Sequence, residues 1–304
     1  MTDVHETRCP ALGILRDLET AVQESPPGGR IIFSHLAGSH LYGMSGPESD
    51  VDVRAIHQAR TDGLFRMTPS FGGRRSTIAI DGHDAVSTEV GKFCDLACHG
   101  NPSVLEMLFV PEWAVLTTTP EFVGLMSIRD AFLSQRIIPA YLGYTWSNLS
   151  QAVNHIFRAI EQRDQGLADQ LLEVQGWGSM AGLLGCLDSF EKLNLLDVCD
   201  IDWAIAEGTR AYKASAHVMR LLVCLRNFVL TGQFSVDLGD DLELVRSIRT
   251  GTMSLEDFLA EVMARRHALD SLVSSDQAHP LPERPDEDRV DEVLITLRRR
   301  DLEI

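Results

Sequence analysis

The 304-residue chain has no CxxC pair, no long apolar run, no internal repeat and no excess of basic charge. Its six cysteines (Cys9, Cys94, Cys98, Cys186, Cys199, Cys224) are scattered, which excludes a disulfide scaffold and fits reduced thiols. Cys94, Cys98 and His99 fall about one helical turn apart, but a fourth zinc ligand is missing and buried thiols are the expectation. The longest apolar run, 218–230, is broken by Arg220 and Arg226 and is too short to span a bilayer. The first residues, MTDVHETRCPALG, lack a basic region followed by an apolar stretch, so no secretory leader is expected. Together these absences predict a cytoplasmic protein with no membrane partner. The balance of 27 Lys and Arg against 44 Asp and Glu leaves a net charge of −17. Such a surface argues against broad, non-specific nucleic-acid binding and leaves room only for a local basic cleft.

What is present is an ordinary globular composition, 44% hydrophobic and 23% charged, at a length that fits two domains. Apolar residues Leu12, Ile14, Leu15, Leu18 and Ala21 recur at helical spacing until Pro27-Gly28-Gly29 stops them. Residues 76–80 and 83–90 read as strands joined by the two-residue turn Asp81-Gly82. A helix over 92–98 ends at Gly100, and Asn101-Pro102 starts another with Val104, Leu105, Leu108 and Phe109 on its apolar face. This first domain is expected to span 1–120. Helical periodicity dominates thereafter, over 121–134, 138–164, 174–193, 201–230 and 254–273. A proline-containing acidic linker, 274–288, and a last helix, 289–300, complete a helical domain over 121–304. The three arginines ending that helix suit the negative end of its dipole. The fold class is therefore α+β, a small sheet domain followed by a mostly helical one.

One stretch dictates a chemistry. Residues 31–54, IIFSHLAGSHLYGMSGPESDVDVR, read as a strand, a turn through Gly38-Ser39, one helical turn, a loop and a second strand. In that second strand Asp50 and Asp52 are one residue apart and project to the same side. Two like charges held together call for a cation, and adjacent carboxylates supply the hard oxygen ligands that Mg²⁺ bridged to phosphate requires. The backbone N–H groups of the Gly38-Ser39 turn and the Ser39 hydroxyl are candidates to receive phosphate oxygens, although such a turn alone is more often a simple cap.

The combination G-S-x-x-x-G, a short loop, then S-D-x-D-x-R resembles the signature of the polymerase β-type nucleotidyltransferase superfamily. That resemblance implies a small mixed sheet backed by helices, Gly38 and Ser39 on the triphosphate, Asp50 and Asp52 on Mg²⁺, and a third carboxylate on a neighbouring strand. Glu89-Val-Gly-Lys92-Phe93, Gly100-Asn101-Pro102, Leu105-Glu106-Met107-Leu108-Phe109, the segment 213–222 and Ile248-Arg249-x-Gly251 are similar to the branch of predicted nucleotidyltransferases associated with RNA-repair ligases. The branch implies an RNA 3′ end, of tRNA or another broken RNA, as acceptor, and an RNA ligase in the same pathway.

Asp84 and Glu89 both compete for the third carboxylate. Their separation of five puts them on opposite faces of one strand, so only one joins the metals. Asp84, within the strand, is favoured, whereas Glu89 also suits the start of the next helix. Lys213, His217 and Arg220 share one helix face and are candidates to bind the nucleotide phosphates, or else an intrahelically paired polar face. Arg54 is expected to orient Asp52 or touch the nucleotide. Arg66, Arg74 and Arg75 are candidates for a nucleic-acid backbone, a solvated loop being as good a reading. The expected reaction transfers NMP from an NTP, ATP among them, to an acceptor hydroxyl with two Mg²⁺ ions or Mn²⁺ in their place. Transfer to a protein or small molecule, or nucleotide binding without catalysis, are the alternatives.

Overall fold

A computed structural model describes residues 4–46, 49–65, 77–79, 84–163, 166, 206–275 and 278–303. The loop with Arg66, Arg74 and Arg75, the Asp81-Gly82 turn, the 174–193 helix and Cys186 and Cys199 lie outside them. The chain is α+β and divides into two compact units. One comprises Met1–Ala140, Phe234–Asp237 and Pro280–Ile304, the other Tyr141–Gln233 and Leu238–His279.

The first unit is built on a mixed five-stranded sheet, order β3-β4-β2-β1-β5. Strand β1 is Gly29–Leu36, β2 Val53–Ala59, β3 Thr77–Ala79, β4 Ala85–Glu89 and β5 Val115–Thr118. The β1·β2, β1·β5 and β3·β4 pairs are antiparallel, and β2·β4 is parallel. Helix α1, Val4–Glu24, runs across all five strands. Of the expected stripe, Ile14, Leu15 and Leu18 are buried, whereas Leu12 is 37% exposed and Ala21 half-buried; Ala11 and Val22 complete the buried face instead, one position away. After β1 comes the single turn α2, Gly38–Leu41. Helix α3, Val90–Cys98, packs on β2 and β4, and α4, Pro102–Leu105, follows with Asn101 as its N-cap.

Strand β5 is not legible in the sequence, since its four residues are all half-buried or exposed and carry no alternation. The helix expected over 121–134 is two short pieces, α5 (Pro120–Met126) and a 3₁₀ turn, Arg129–Phe132. Phe122 of α5 stacks on Phe33 of β1 with ring centroids 3.9 Å apart, which holds residues after 120 on the sheet unit.

The second unit is helical among the described residues, with most of α6 (Ile137–Arg163), α7 (Ala206–Thr231), α8 (Leu242–Arg249) and α9 (Leu255–Val273). Helix α8 packs on α7, and Gly251 after it has φ of 72°. A Cβ there would run into the Tyr212 ring, so the loop closes on α7 only with glycine. The last helix, α10 (Glu287–Glu303), packs on α3 and α5 of the first unit. Arg298, expected to serve the helix dipole, instead reaches the end of β4.

Candidate functional site

Strand β1 ends at Leu36, and its ladder with β2 is prolonged by Ala37 N–H donating to the Asp52 carbonyl at 2.9 Å. Asp50 and Asp52 therefore lie just ahead of β2 rather than inside it, a correction to the strand placement. Asp50 is exposed and Asp52 half-buried. The β2·β4 register pairs Val53 with Ala85 and Arg54 with Val86, and Val53 N–H donates to the Asp84 carbonyl at 3.1 Å. One step beyond the ladder, Asp52 stands level with Asp84, and residues paired in a parallel ladder share a face. Asp84 likewise precedes its strand.

Gly38 supplies the link between the turn and the acids. Its φ is 59°, and a Cβ on it would overlap the Asp52 carboxylate, with Cγ only 2.8 Å away. The carboxylate thus occupies the space that any other residue at 38 would fill. Ser39, the second residue of α2, accepts Met44 N–H on its carbonyl at 2.9 Å. Ser49 closes the following loop: its hydroxyl accepts from Gly46 N–H at 2.8 Å and its own N–H donates to the Gly46 carbonyl at 3.0 Å.

Arg54 pairs with Asp84. Its Nη2 lies 2.8 Å from Asp84 Oδ1, and Nη1 donates to the Asp84 carbonyl at 3.0 Å. Among the described residues no three His, Cys, Asp or Glu side chains are gathered to hold a metal ion. The donor set at this end of the sheet is nonetheless hard oxygen, with two flanking aspartates and a third one strand away. His35, opposite Arg54 in the β1·β2 register, is buried. Burial, with Arg54 adding to it, holds its pKa at about 4 against the Nδ1 bond to the Leu36 carbonyl.

Glu89 has a different role. It closes β4 opposite His57, caps α3 by accepting Gly91 N–H at 2.7 Å, and pairs with Arg298 at 2.5 Å. Arg298 also donates to the Ala59 carbonyl at 3.2 Å. His57 beside this pair shares a hydrogen bond with Ser87 Oγ at 2.8 Å, and burial lowers its pKa to about 4 although Glu89 opposes the shift. With both oxygens engaged and the face opposite to that of Asp84, Glu89 holds the sheet to α10. Cys94 and Cys98 are buried, which pushes the Cys98 thiol up to about 11 and Cys94 further, while His99 pairs with Asp95. These are protonated thiols.

In the second unit Lys213, His217 and Arg220 do share a face of α7, but their environments grade from exposed through half-buried to buried, with Arg220 2% accessible. Arg220 Nη2 lies 3.4 Å from His217 Nδ1, and Tyr144 meets the imidazole edge-on with centroids 5.8 Å apart. Burial and then the Arg220 charge lower the His217 pKa to about 3, so the stripe carries a neutral imidazole between two cations. Spacing alone could not disclose that gradient.

Among the described residues no helix is long and apolar enough to cross a membrane. No solved structure matches the chain. It is similar to an uncharacterized 38.9 kDa protein from the nrdC-mobD intergenic region of Enterobacteria phage T4, 26% identical over 159 residues. That match covers 47% of this chain and 46% of the phage protein, so the chain spans about half the length of the relative it matches. The Gly38-Ser39 turn, the aspartates, the sheet and α7 all fall within residues 13–235, which match the RNA repair pathway DNA polymerase beta family, and the chain belongs to that family.

Proposed function

We propose that the protein is a Mg²⁺-dependent nucleotidyltransferase that moves NMP from an NTP to an acceptor hydroxyl, with an RNA 3′ end as acceptor. The observation that carries this reading is the contact between Gly38 of the phosphate turn and the Asp52 carboxylate. The N–H groups of a strand-to-helix turn next to a carboxylate are what transfer at an α-phosphate would use, and this supports the reading. The family supports nucleotidyl transfer in RNA repair at a coarse level.

In this reading the N–H groups of Gly38 and Ser39 bind the triphosphate, with the Ser39 hydroxyl as a further donor. Asp50 and Asp52 would hold Mg²⁺, or Mn²⁺ in its place, through carboxylate oxygens. Asp84, whose bond to Arg54 is exposed, would join them in holding the metal, and Arg54 would be available to the nucleotide. When bound, the two ions supply charge neutralisation at the phosphates and lower the pKa of the attacking hydroxyl. Lys213, His217 and Arg220 are proposed nucleotide-binding residues, with Lys213 and Arg220 carrying charge and His217 acting as a neutral hydrogen-bonding group. An RNA ligase in the same pathway would act on the extended or repaired end.

The net charge of −17 favours a second reading, in which the acceptor is a protein side chain or a small molecule. The two separate by incubating the protein with Mg²⁺ and each labelled NTP, with and without mixed tRNA, beside Asp50→Asn. Label on RNA with wild type alone is the expected result, and its yield should fall steeply with salt. Label on protein, or transfer indifferent to salt, shifts the acceptor; full activity of Asp50→Asn removes the metal assignment. NTP binding without any transfer would leave a nucleotide-binding protein.

A further inference from the structure

The phosphate turn cannot hold itself in place. Helix α2 is four residues long, and its N-cap, Ala37, offers no side-chain hydrogen bond. A single helical turn is unstable alone because nucleation costs more than one bond returns. Two side chains at its far end anchor it. Leu41 is buried, and Tyr42, the C-cap, donates its phenol O–H to Glu106 Oε2.

Glu106 is 3% exposed, an expensive place for a carboxylate unless hydrogen bonds compensate. An apolar residue would fill the same space at lower cost, so the acid has a task beyond packing. It opens the 3₁₀ turn Glu106–Phe109, directly after α4. That helix is fixed from behind. Asn101 accepts Val104 N–H on its side chain at 3.3 Å, Pro102 occupies the first turn, and Gly100 has φ of 72° with the Ile137 Cα 2.9 Å from where a Cβ would stand. Gly100-Asn101-Pro102 and Leu105-Glu106, conspicuous in the sequence but without a chemical assignment, thus form a rigid pedestal whose tip is the Glu106 carboxylate.

We propose that Glu106 and Tyr42 are positioning residues for the nucleotide. The pedestal grips the Tyr42 phenol, and this holds the Gly38-Ser39 backbone at the spacing from Asp52 that the triphosphate requires. The inference rests on the proposed nucleotidyltransferase reading and adds to it the residues that set the affinity for the phosphate chain. Neither residue takes part in the transfer itself.

The test is Tyr42→Phe, which removes one oxygen and keeps the ring, beside Glu106→Gln, which keeps an acceptor for the phenol. NTP affinity is measured with Ca²⁺ in place of Mg²⁺, metal affinity with Mn²⁺ alone, and amide exchange over residues 36–44 without any ligand. Tyr42→Phe should weaken NTP binding about tenfold or more, in the range that loss of an orienting partner produces. It should also raise KM for NTP more than it lowers kcat, and speed exchange in 36–44 while leaving Mn²⁺ affinity unchanged. Glu106→Gln should remain within about threefold of wild type, because the acceptor is retained. Unchanged exchange over 36–44 in Tyr42→Phe would overturn the proposal whatever the nucleotide does. So would wild-type NTP affinity in that variant, or an equal loss of Mn²⁺ and NTP binding, which is general unfolding of the site. A wild-type protein that binds neither metal nor NTP overturns the nucleotidyltransferase reading, and this inference with it.

Discussion

Strand β4 is bracketed by two carboxylates, each paired with an arginine, and the pairs differ in everything but their chemistry. At its start Asp84 meets Arg54 with side chains 55% and 31% exposed. At its end Glu89 meets Arg298 with side chains 4% and 15% exposed. Water screens the first pair, so its carboxylate is exchangeable and free to serve a ligand. The second is out of water, its second oxygen engaged by Gly91 N–H, and exchanging it would strand a buried charge. One strand therefore carries a water-exposed, loosely held acid at one end and a buried, tightly held acid at the other. Burial distinguishes them.

Breaking the buried pair should have the larger effect on stability. Arg298→Ala is expected to cost about 3–5 kcal/mol, the usual result of stranding one partner of a buried ion pair. Urea unfolding with tryptophan fluorescence would measure it. The double variant Glu89→Leu, Arg298→Met should recover much of the loss, since it removes both charges; no recovery would mean that Arg298 acts through the Ala59 carbonyl instead.

A smaller effect should appear as pH dependence. His57, beside the buried pair, has its pKa lowered to about 4, below its value of about 6.5 in the unfolded chain. Between those values the unfolded chain binds the extra proton, so stability is fully present above pH 6.5 and is lost as pH falls toward 4. The shift amounts to about 3 kcal/mol for this one group. Unfolding free energies at pH 7 and 4.5 should converge in His57→Gln relative to wild type, and an undiminished slope would assign the acid lability elsewhere.

The exposed pair should barely register. Arg54→Ala is expected to change stability by less than about 1 kcal/mol, as exposed ion pairs do. If it proves as damaging as Arg298→Ala, the contrast between the two ends of β4 is wrong, and Arg54 is structural.

How much of this was legible varies from residue to residue, for physical reasons. Helix α1, the Asn101-Pro102 helix start and the β3 and β4 strands depend on local periodicity and caps, and they are where the spacing puts them, although the buried face of α1 takes Ala11 and Val22 in place of Leu12 and Ala21. Strand β5 gives no such signal, because it is short and defined by its pairing with β1. Helix α8 escaped similarly: eight residues after a short 3₁₀ turn are too few for a clear repeat. Arg54 sits at its expected position but pairs with a residue 30 positions away, which no local pattern reports.

The residues themselves carried the chemistry: a glycine-serine turn, two aspartates one residue apart and an acid-bearing strand after them limit the reading through charge and reach alone. Tertiary structure decided how each of the chemically equivalent groups is held. Asp84 and Glu89 are both carboxylates five residues apart, yet the parallel ladder brings one level with Asp52 while α10 closes over the other. It also turned an isolated Tyr42 and a distant Glu106 into a brace for the turn. Burial and long-range pairing set those outcomes, because desolvation depends on what the rest of the chain lays over a residue, and neighbours in sequence do not determine it.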